Sequence, residues 1–561
     1  MPGRLVDADV LRAWLDGAEL ALEDARGRID AVNVFPVADG DTGTNVLLTV
    51  RGAAEAVRAL DPDAPGEEVL RVLARGALLA ARGNSGVIVS RYLAGLAEGP
   101  HGALPDVLVR AAAAARTAVH EPEDGTVLTV AARVARGAAD AAGAVGVRDD
   151  GARVPARAAD ALPDDAGLLR AGAAAGRADL VAISAAHPVL HRAGVVDAGA
   201  CALLVLLDAL AAALGGADAR VDVAWLDRLA APAQDPAAPS ATPVTPVTPG
   251  PPVTPGPPVT PATSAAPDAP PAPDAFEVMA VLHGAGAACG PDLRAALAAV
   301  GDAVAVVDGV GVLTAHVHTP DPAAALAAVA GCGGRWTGAV GRLAGEARAV
   351  VACTAHPVLA RALARTGATA LVVPDGVPVA EVRAAVRRAV QDAGVPAHAP
   401  TPTPGAARVH GPAAVLVLPG DRLDGVDPGE GWTPVPGADD DLRVLAAVGD
   451  ADPDARPGTT TTTSAPGPDA ALAAAVRLAA GSGPGARLTV LLGPGAATDD
   501  GLDLVDRFAP THPGVRVEVA GPVPAGPAFR LALTAGAAHP APTADPSTPP
   551  TPSSSPAQAR P

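Results

Sequence analysis

Residues 33–45 read NVFPVADGDTGTN. Asp39 and Asp41, separated by one glycine, can converge on a single hard cation. Mg²⁺ takes oxygen ligands, commonly only one or two of them protein carboxylates, and fills its shell with water and substrate phosphates. Gly40 and Gly43 permit a tight backbone, and Thr42, Thr44 and Asn45 supply neutral donors where the next helix begins. An ordinary Asp-Gly turn with a helix cap accounts for the same letters, so the two carboxylates alone leave both readings open. A second string, ARGNSG at 81–86, sets Asn84, Ser85 and Gly86 ahead of an apolar run. Small residues with available N–H groups at a helix start can bind an anion, or simply turn the chain. GTVLT at 125–129, with Thr126 and Leu128, repeats the arrangement, as does GVVDAG at 194–199, with Asp197 and Gly199. Four such turns imply a rim of interhelical loops able to seat a nucleotide and its metal.

These turns need a scaffold, and composition narrows the choice. A chain of 561 residues is long enough for about three or four domains. With 49% hydrophobic residues but only 2% aromatic ones, the cores must be built from Ala, Val and Leu. The most apolar stretch, 200–214, is broken by Asp208, and no window offers the roughly 18–20 uninterrupted apolar residues of a bilayer span. The opening residues, MPGR and a charged amphipathic segment, lack a signal-peptide apolar core. A soluble, cytoplasmic protein without a transmembrane segment is the expectation. Net charge is 41 − 60 = −19, and every cation other than histidine is arginine, since the chain has no lysine. That excludes a Walker A loop and argues against nucleic acid as a partner. Cys201, Cys289, Cys332 and Cys353 are too few and too scattered for a disulfide framework.

Organisation follows from rhythm. Residues 7–214 read as helical, with Leu11, Leu15, Leu22 and Ile29 near one face and further helices over 67–81, 87–97, 104–120, 127–142 and 200–214. A Pro/Thr-rich run over 231–275 can bury no core and reads as an extended linker. Residues 276–347 then alternate strands (277–282, 303–307, 312–318) with helices (292–299, 322–329). Residues 348–538 continue the alternation, with strands over 350–353, 370–373, 414–418, 487–492 and 515–519. A loop is expected over 449–468, around the threonine run 459–463, and a disordered tail over 539–561. The fold class is therefore multidomain: an N-terminal all-α unit, then α/β middle and C-terminal domains.

With these strings assembled, the N-terminal unit resembles the nucleotide-binding, DhaL-like domain of the dihydroxyacetone kinase family. More closely, the chain resembles the catalytic subunits of bacterial fatty acid kinases. NVFPVADGDTGTN and ARGNSG are specific to that branch, and GTVLT and GVVDAG arrive in the expected order. The resemblance implies a barrel of antiparallel helices holding ATP and Mg²⁺ at one end. By it, Asp39 and Asp41 ligate magnesium, and Asn33 stands near the place of a further ligand. Thr42, Thr44, Asn45, Asn84, Ser85 and Gly86 face phosphates, and Thr126, Leu128, Asp197 and Gly199 line the nucleoside. Relatives carry an Arg-Thr pair where this chain has Ala182, Ile183 and Ser184, and Arg177 is a candidate replacement.

The resemblance extends over 276–347, where HVHT at 316–319 is retained. Strand alternation puts His316 and His318 on one face, which suits a zinc ion but is not a site by itself. Relatives often add a cysteine near 276–279, absent here; Glu277, His283 and Cys289 are alternative third ligands that spacing cannot separate. Packed histidines are the plainer reading. Past Val373 and Pro419 the family's Gly-Gly-Gln-Thr-Met-Asn and Asn-Asn-Lys strings are replaced by PDGV and GDR.

The function implied is Mg²⁺-dependent phosphoryl transfer from ATP to a fatty acid carboxylate. That acceptor is presented by a separate fatty-acid-binding protein, and a homodimer is a further possibility of the family. A carboxylate is ionised at neutral pH, so no general base is required. A dihydroxyacetone-type kinase and a non-catalytic nucleotide-binding scaffold are the alternatives. The first needs a ketone-binding histidine domain that the chain does not display. The second leaves unexplained two adjacent carboxylates that repel without a cation.

Overall fold

A computed structural model describes residues 4–36, 40–143, 164–216, 221–229, 275–286, 289–309, 311–343, 348–393, 415–420, 422–423, 432–434, 440–448, 460–480, 482, 486–524 and 526–534. The linker expected over 231–275, apart from Ala275, the tail at 539–561 and Asp39 itself lie outside them. Described residues fall into two compact units, 1–455 and 456–561.

Among the described residues the first unit opens with nine helices: α1 (Ala8–Ala31), α2 (Thr42–Arg58), α3 (Gly66–Ala80), α4 (Gly83–Ala97), α5 (Leu104–Arg116), α6 (Val127–Gly143), α7 (Asp165–Ala185), α8 (Pro188–Ala193) and α9 (Ala198–Leu214). Asp7 starts α1 by accepting from the N–H groups of Asp9 and Val10. Its Leu11, Trp14, Leu15, Ala18, Leu22 and Ile29 recur at helical spacing and are buried. From α1 to α7 each helix packs on the next, and α9 closes the ring between α7 and α1. The expected helical barrel is therefore present. The apolar 200–214 stretch is buried on nearly every side as α9, and the Trp14 indole reaches its Leu206 carbonyl at 3.0 Å. Asp208, which breaks that stretch, is paired with Arg177. No helix among the described residues is long and apolar enough to cross a membrane. Small residues allow the close seams: a Cβ at Gly52 would lie 2.0 Å from that of Ala80, so helices approach without large side chains.

Beyond 275 the chain forms β1 (Phe276–His283), α10 (Cys289–Ala298), β2 (Asp302–Gly309), β3 (Val312–Thr319), α11 (Pro322–Gly331), β4 (Arg335–Arg342), β5 (Val350–Thr354), α12 (Pro357–Ala364), β6 (Thr369–Val372), α13 (Val379–Ala393), β7 (Val415–Leu418), β8 (Trp432–Pro434) and α14 (Asp441–Val448). These eight described strands share one sheet in the order β2-β3-β1-β4-β6-β5-β7-β8. It is antiparallel from β2 to β6 and parallel from β6 to β8. The boundary expected at 347/348 therefore crosses a continuous sheet, because β4 pairs with β6. This sheet packs on the helices. Val306 donates to the Ala118 carbonyl, and His120 to that of Val304, so β2 lies against the segment after α5.

One expectation about cysteine fails here. Cys289, the first residue of α10, and Cys332, the C-cap residue of α11, are disulfide-bonded. Cys201 and Cys353 are free and buried.

The second unit comprises β9 (Thr460–Ala465), α15 (Pro468–Ala479), β10 (Arg487–Leu492), α16 (Thr498–Phe508), β11 (Arg516–Ala520) and β12 (Phe529–Thr534), with sheet order β11-β10-β12-β9. The single region expected over 348–538 is thus two, divided at 455/456. The threonine run expected in a loop is an edge strand instead. β-Branched threonine suits an extended chain, and β12 pairs with it from Ala465 to Thr460.

Candidate functional site

The four polar turns meet at one end of the helical ring. α2 begins beside the end of α1, where the Asp30 carboxylate accepts from the N–H groups of Gly43 (2.6 Å) and Thr44 (3.1 Å) and from the Thr44 hydroxyl (2.9 Å). Burial pushes the Asp30 pKa above the ordinary carboxylate range, and these bonds to Thr44 and Gly43 only partly oppose it. A Cβ at Gly43 would meet the Arg26 carbonyl at 2.7 Å, so glycine is required for that approach. Asp41 is the N-cap residue of α2, yet its side chain makes no capping bond; Asp30 performs the capping.

From there a polar chain crosses to the second turn. The Thr42 hydroxyl donates to Asn33 Oδ1 at 2.5 Å and lies 3.3 Å from that of Ser85. Gly83 adopts φ +52°, and a Cβ there would strike the Asn45 amide at 2.7 Å. A Cβ at Gly86 would be 2.5 Å from the Thr49 hydroxyl. Asn84 Oδ1 is buried with no hydrogen-bond partner among the described residues, a state native proteins rarely leave without a reason. Asn33, Thr42, Thr44, Asn45, Asn84, Ser85 and Gly86 are thereby gathered around the starts of α2 and α4.

The third and fourth turns are tied together by Asp197. As N-cap of α9 its Oδ2 accepts from Ala200 N–H at 2.7 Å, and across the gap from Val127 N–H at 2.9 Å. Its own N–H goes to the Ser184 hydroxyl. Burial raises its pKa to about 6, against the two backbone bonds and the nearby His187. Thr126 is buried and accepts from Leu128 N–H. Leu128 belongs to the barrel core, and Gly199 lies against Asp197 and Val127. His187, which sequence reasoning passed over, joins these turns to the first: its ring meets Phe35 at 4.2 Å between centroids and pairs with Glu123 at 2.7 Å. Neither His187 nor Asp30 stands in a recognisable string, so only the folded loops reveal them. Arg177 does not serve this rim. It pairs with Asp208, eleven residues along α9 from Asp197, or about 16 Å, and lies over Trp225.

A second cluster faces the second turn from the sheet. In the β1–β3 pairing Glu277 is opposite His318 and Met279 opposite His316. Glu277, His316 and His318 each offer a ligand atom, all within 4.8 Å of one another. His316 Nδ1 lies 3.3 Å from Glu277 Oε1, while His316 Nε2 and His318 Nδ1 are buried without hydrogen-bond partners among the described residues. Burial, reinforced by His316, pushes His318 down to about 3, so it is neutral and able to ligate. Burial opposes ionisation of Glu277, but His316 and His318 hold its pKa below the usual range. Of the three alternatives for a third ligand, the fold brings Glu277 to the two histidines. His283 sits at the far end of β1, opposite Val312, and Cys289 is in the disulfide. A Cβ at Gly83 would be 3.9 Å from Glu277 Oε1, so this cluster borders the Gly83-Asn84-Ser85 turn.

Residues 36–212 match the DAK2 domain family, and residues 274–344 match the FakA-like middle domain of fatty acid kinases. The chain is 34% identical over 209 residues to protein YloV of Bacillus subtilis, covering 36% of this chain and 34% of that one. It is 31% identical over 211 residues to an uncharacterized protein of Staphylococcus aureus, SAB1090, with the same coverage. Against SERP0792 of Staphylococcus epidermidis, also uncharacterized, the figure is 38% over 120 residues, 20% of this chain and 21% of the relative. The chain thus spans about a third of the length of the first of these relatives.

Proposed function

For a chain of the dihydroxyacetone kinase-like, fatty-acid-kinase type, with a DAK2 domain ahead of a FakA-like middle domain, we propose Mg²⁺-dependent phosphoryl transfer from ATP to a fatty acid carboxylate. A carboxylate oxygen of the acceptor attacks the γ-phosphorus, the bond to the β-phosphate oxygen breaks, and acyl phosphate and ADP leave. The observation that carries this reading is the meeting of the α2 and α4 starts through Asn33, Thr42 and Ser85. The two helix starts lie side by side there, and that of α4 carries no side-chain cap, which suits a phosphate. Asp39 and Asp41, together with Asn33, are assigned to Mg²⁺. When bound, Mg²⁺ supplies charge for the phosphates to be neutralised. Thr42, Asn45, Asn84, Ser85 and Gly86 are assigned to the phosphates, whereas Thr44, expected among them, has its N–H and hydroxyl taken by Asp30; Thr126, Leu128, Asp197 and Gly199 shape the nucleoside side. The acceptor arrives on a fatty-acid-binding partner.

The orphaned imidazole nitrogens of His316 and His318 beside Glu277 fit a zinc ion with three protein ligands and an open position. We assign these three residues to that role. The decisive experiment is a kinase assay with ATP, Mg²⁺ and a fatty-acid-loaded binding protein, following acyl phosphate. ATP binding without transfer to fatty acid or dihydroxyacetone, under every loading tried, favours a scaffold.

A further inference from the structure

Arg82 is the residue immediately before the Gly83-Asn84-Ser85 turn, and its side chain is only 6% exposed. It does not point at a phosphate. Nη1 donates to the Ala80 (2.7 Å) and Ala81 (3.3 Å) carbonyls at the end of α3. Nη2 donates to the Arg388 carbonyl at 3.3 Å, and Nε is bonded to the Asp392 carboxylate. Arg388 and Asp392 lie in the last turns of α13, 306 and 310 residues further along the chain. One guanidinium therefore sits at the C-terminal ends of two helices, where the backbone carbonyls favour a cation. Arginine's fork suits this place, because a lysine ammonium cannot address carbonyls and carboxylate in fixed directions together.

The same residue begins α4. Its carbonyl accepts from Gly86 N–H at 2.8 Å, so the direction of Arg82 sets that of the turn's N–H groups. An ion pair with Arg82 buried and Asp392 half-buried is a poor device for stability alone, since desolvation offsets much of its attraction. Holding a short turn at φ +52° in one geometry is a task it suits.

We propose that Asp392 is a positioning residue for the phosphate turn: through Arg82, α13 of the parallel half of the sheet fixes Gly83, Asn84 and Ser85. This rests on the nucleotide reading above for its functional meaning, but not for its geometry. The α/β half is thereby a working part of the nucleotide site.

The test uses the full chain carrying Asp392→Asn, with Arg82→Lys as the second variant should the first fail to fold. Amide hydrogen exchange reads the turn directly. Exchange at 83–87 should rise about tenfold or more, while that at 127–131, the start of α6, stays unchanged. Calorimetry should show affinity for ATP falling about tenfold and affinity for adenosine, which carries no phosphate, holding within about twofold. Unchanged exchange at 83–87 overturns the proposal, even if the melting temperature falls. Equal losses for ATP and adenosine overturn it too, since that marks general damage. If the unmodified chain binds neither compound, the nucleotide reading fails separately, and the exchange data alone decide the role of Asp392.

Discussion

Val127 and Asp197 stand seventy residues apart in the chain, yet the Val127 N–H donates to Asp197 Oδ2 at 2.9 Å while the same oxygen caps α9 through Ala200 at 2.7 Å. One carboxylate oxygen thus closes the starts of α6 and α9 together. Both are rim helices, so their mutual position is set by a group too deeply buried to be a free ligand.

Asp197→Ala should cost about 2 kcal/mol, since two buried N–H groups lose their acceptor. Asp197→Asn retains an oxygen in that place and should cost less at pH 7. The two also differ from the wild type in pH dependence. A carboxyl raised from 3.8 to about 6 by burial binds its proton more tightly in the folded state. Its contribution therefore favours folding below about pH 4 and is lost as pH rises through about 6. Denaturant titrations of Asp197→Asn between pH 4 and 7 should lack that component. An identical pH profile in mutant and wild type would refute the assignment.

Asp41→Asn and Asp39→Asn should each lower Mg²⁺-dependent ATP turnover by roughly a hundredfold or more, given the charge that Mg²⁺ must neutralise. The described α2 start explains why Asp41→Asn spares the fold: Asp30 provides the cap. Asp30→Ala is the contrasting variant, losing three bonds and about 1–3 kcal/mol of stability. Turnover assays and thermal melts on the three variants separate ligand from cap. A wild-type rate in both ligand variants removes Asp39 and Asp41 from the site.

Much of the first unit was legible because alanine-rich helices with apolar residues at regular spacing admit few other solutions. The strings at 33–45, 81–86, 125–129 and 194–199 could be read as loops that meet, since each opens a helix. What could not be read is long-range pairing. Nothing in the letters says that Arg82 is held by Asp392, that β4 joins β6, or that Cys289 lies near Cys332. Those follow from sheet order. The threonine run at 459–463 misled for a related reason: polar side chains suggest a loop, but an edge strand tolerates them.

Glu277→Ala and His316→Ala should each reduce zinc retained after dialysis from about one ion per chain to a small fraction. Glu277→Cys should retain it, since thiolate is also a zinc ligand. Metal content is measured by mass spectrometry alongside a thermal melt. Full zinc content in both alanine variants would exclude the cluster, as would no zinc in the wild type under zinc-replete expression.

The acceptor's delivery is the last prediction. An acyl chain needs a concave apolar site, and this chain has few large side chains with which to line one: four Phe, four Trp and one Tyr in all. Several are already committed. Trp14, Phe276, Phe508 and Phe529 are fully buried in cores, and so is Tyr92. Phe35 is packed on His187 at the rim. The large groove beside Leu70, Ala74 and Ala94 is no substitute, because Glu67, Glu68, Arg71, Arg91, Glu98 and His101 line it as well. A fatty acid should therefore be phosphorylated efficiently only when another protein carries it. Acyl phosphate formation, followed with hydroxylamine trapping, should rise at least about tenfold when a loaded fatty-acid-binding protein replaces free fatty acid at equal concentration. Equal rates with free fatty acid, or efficient turnover of dihydroxyacetone by the chain alone, would overturn the delivered-acceptor mechanism.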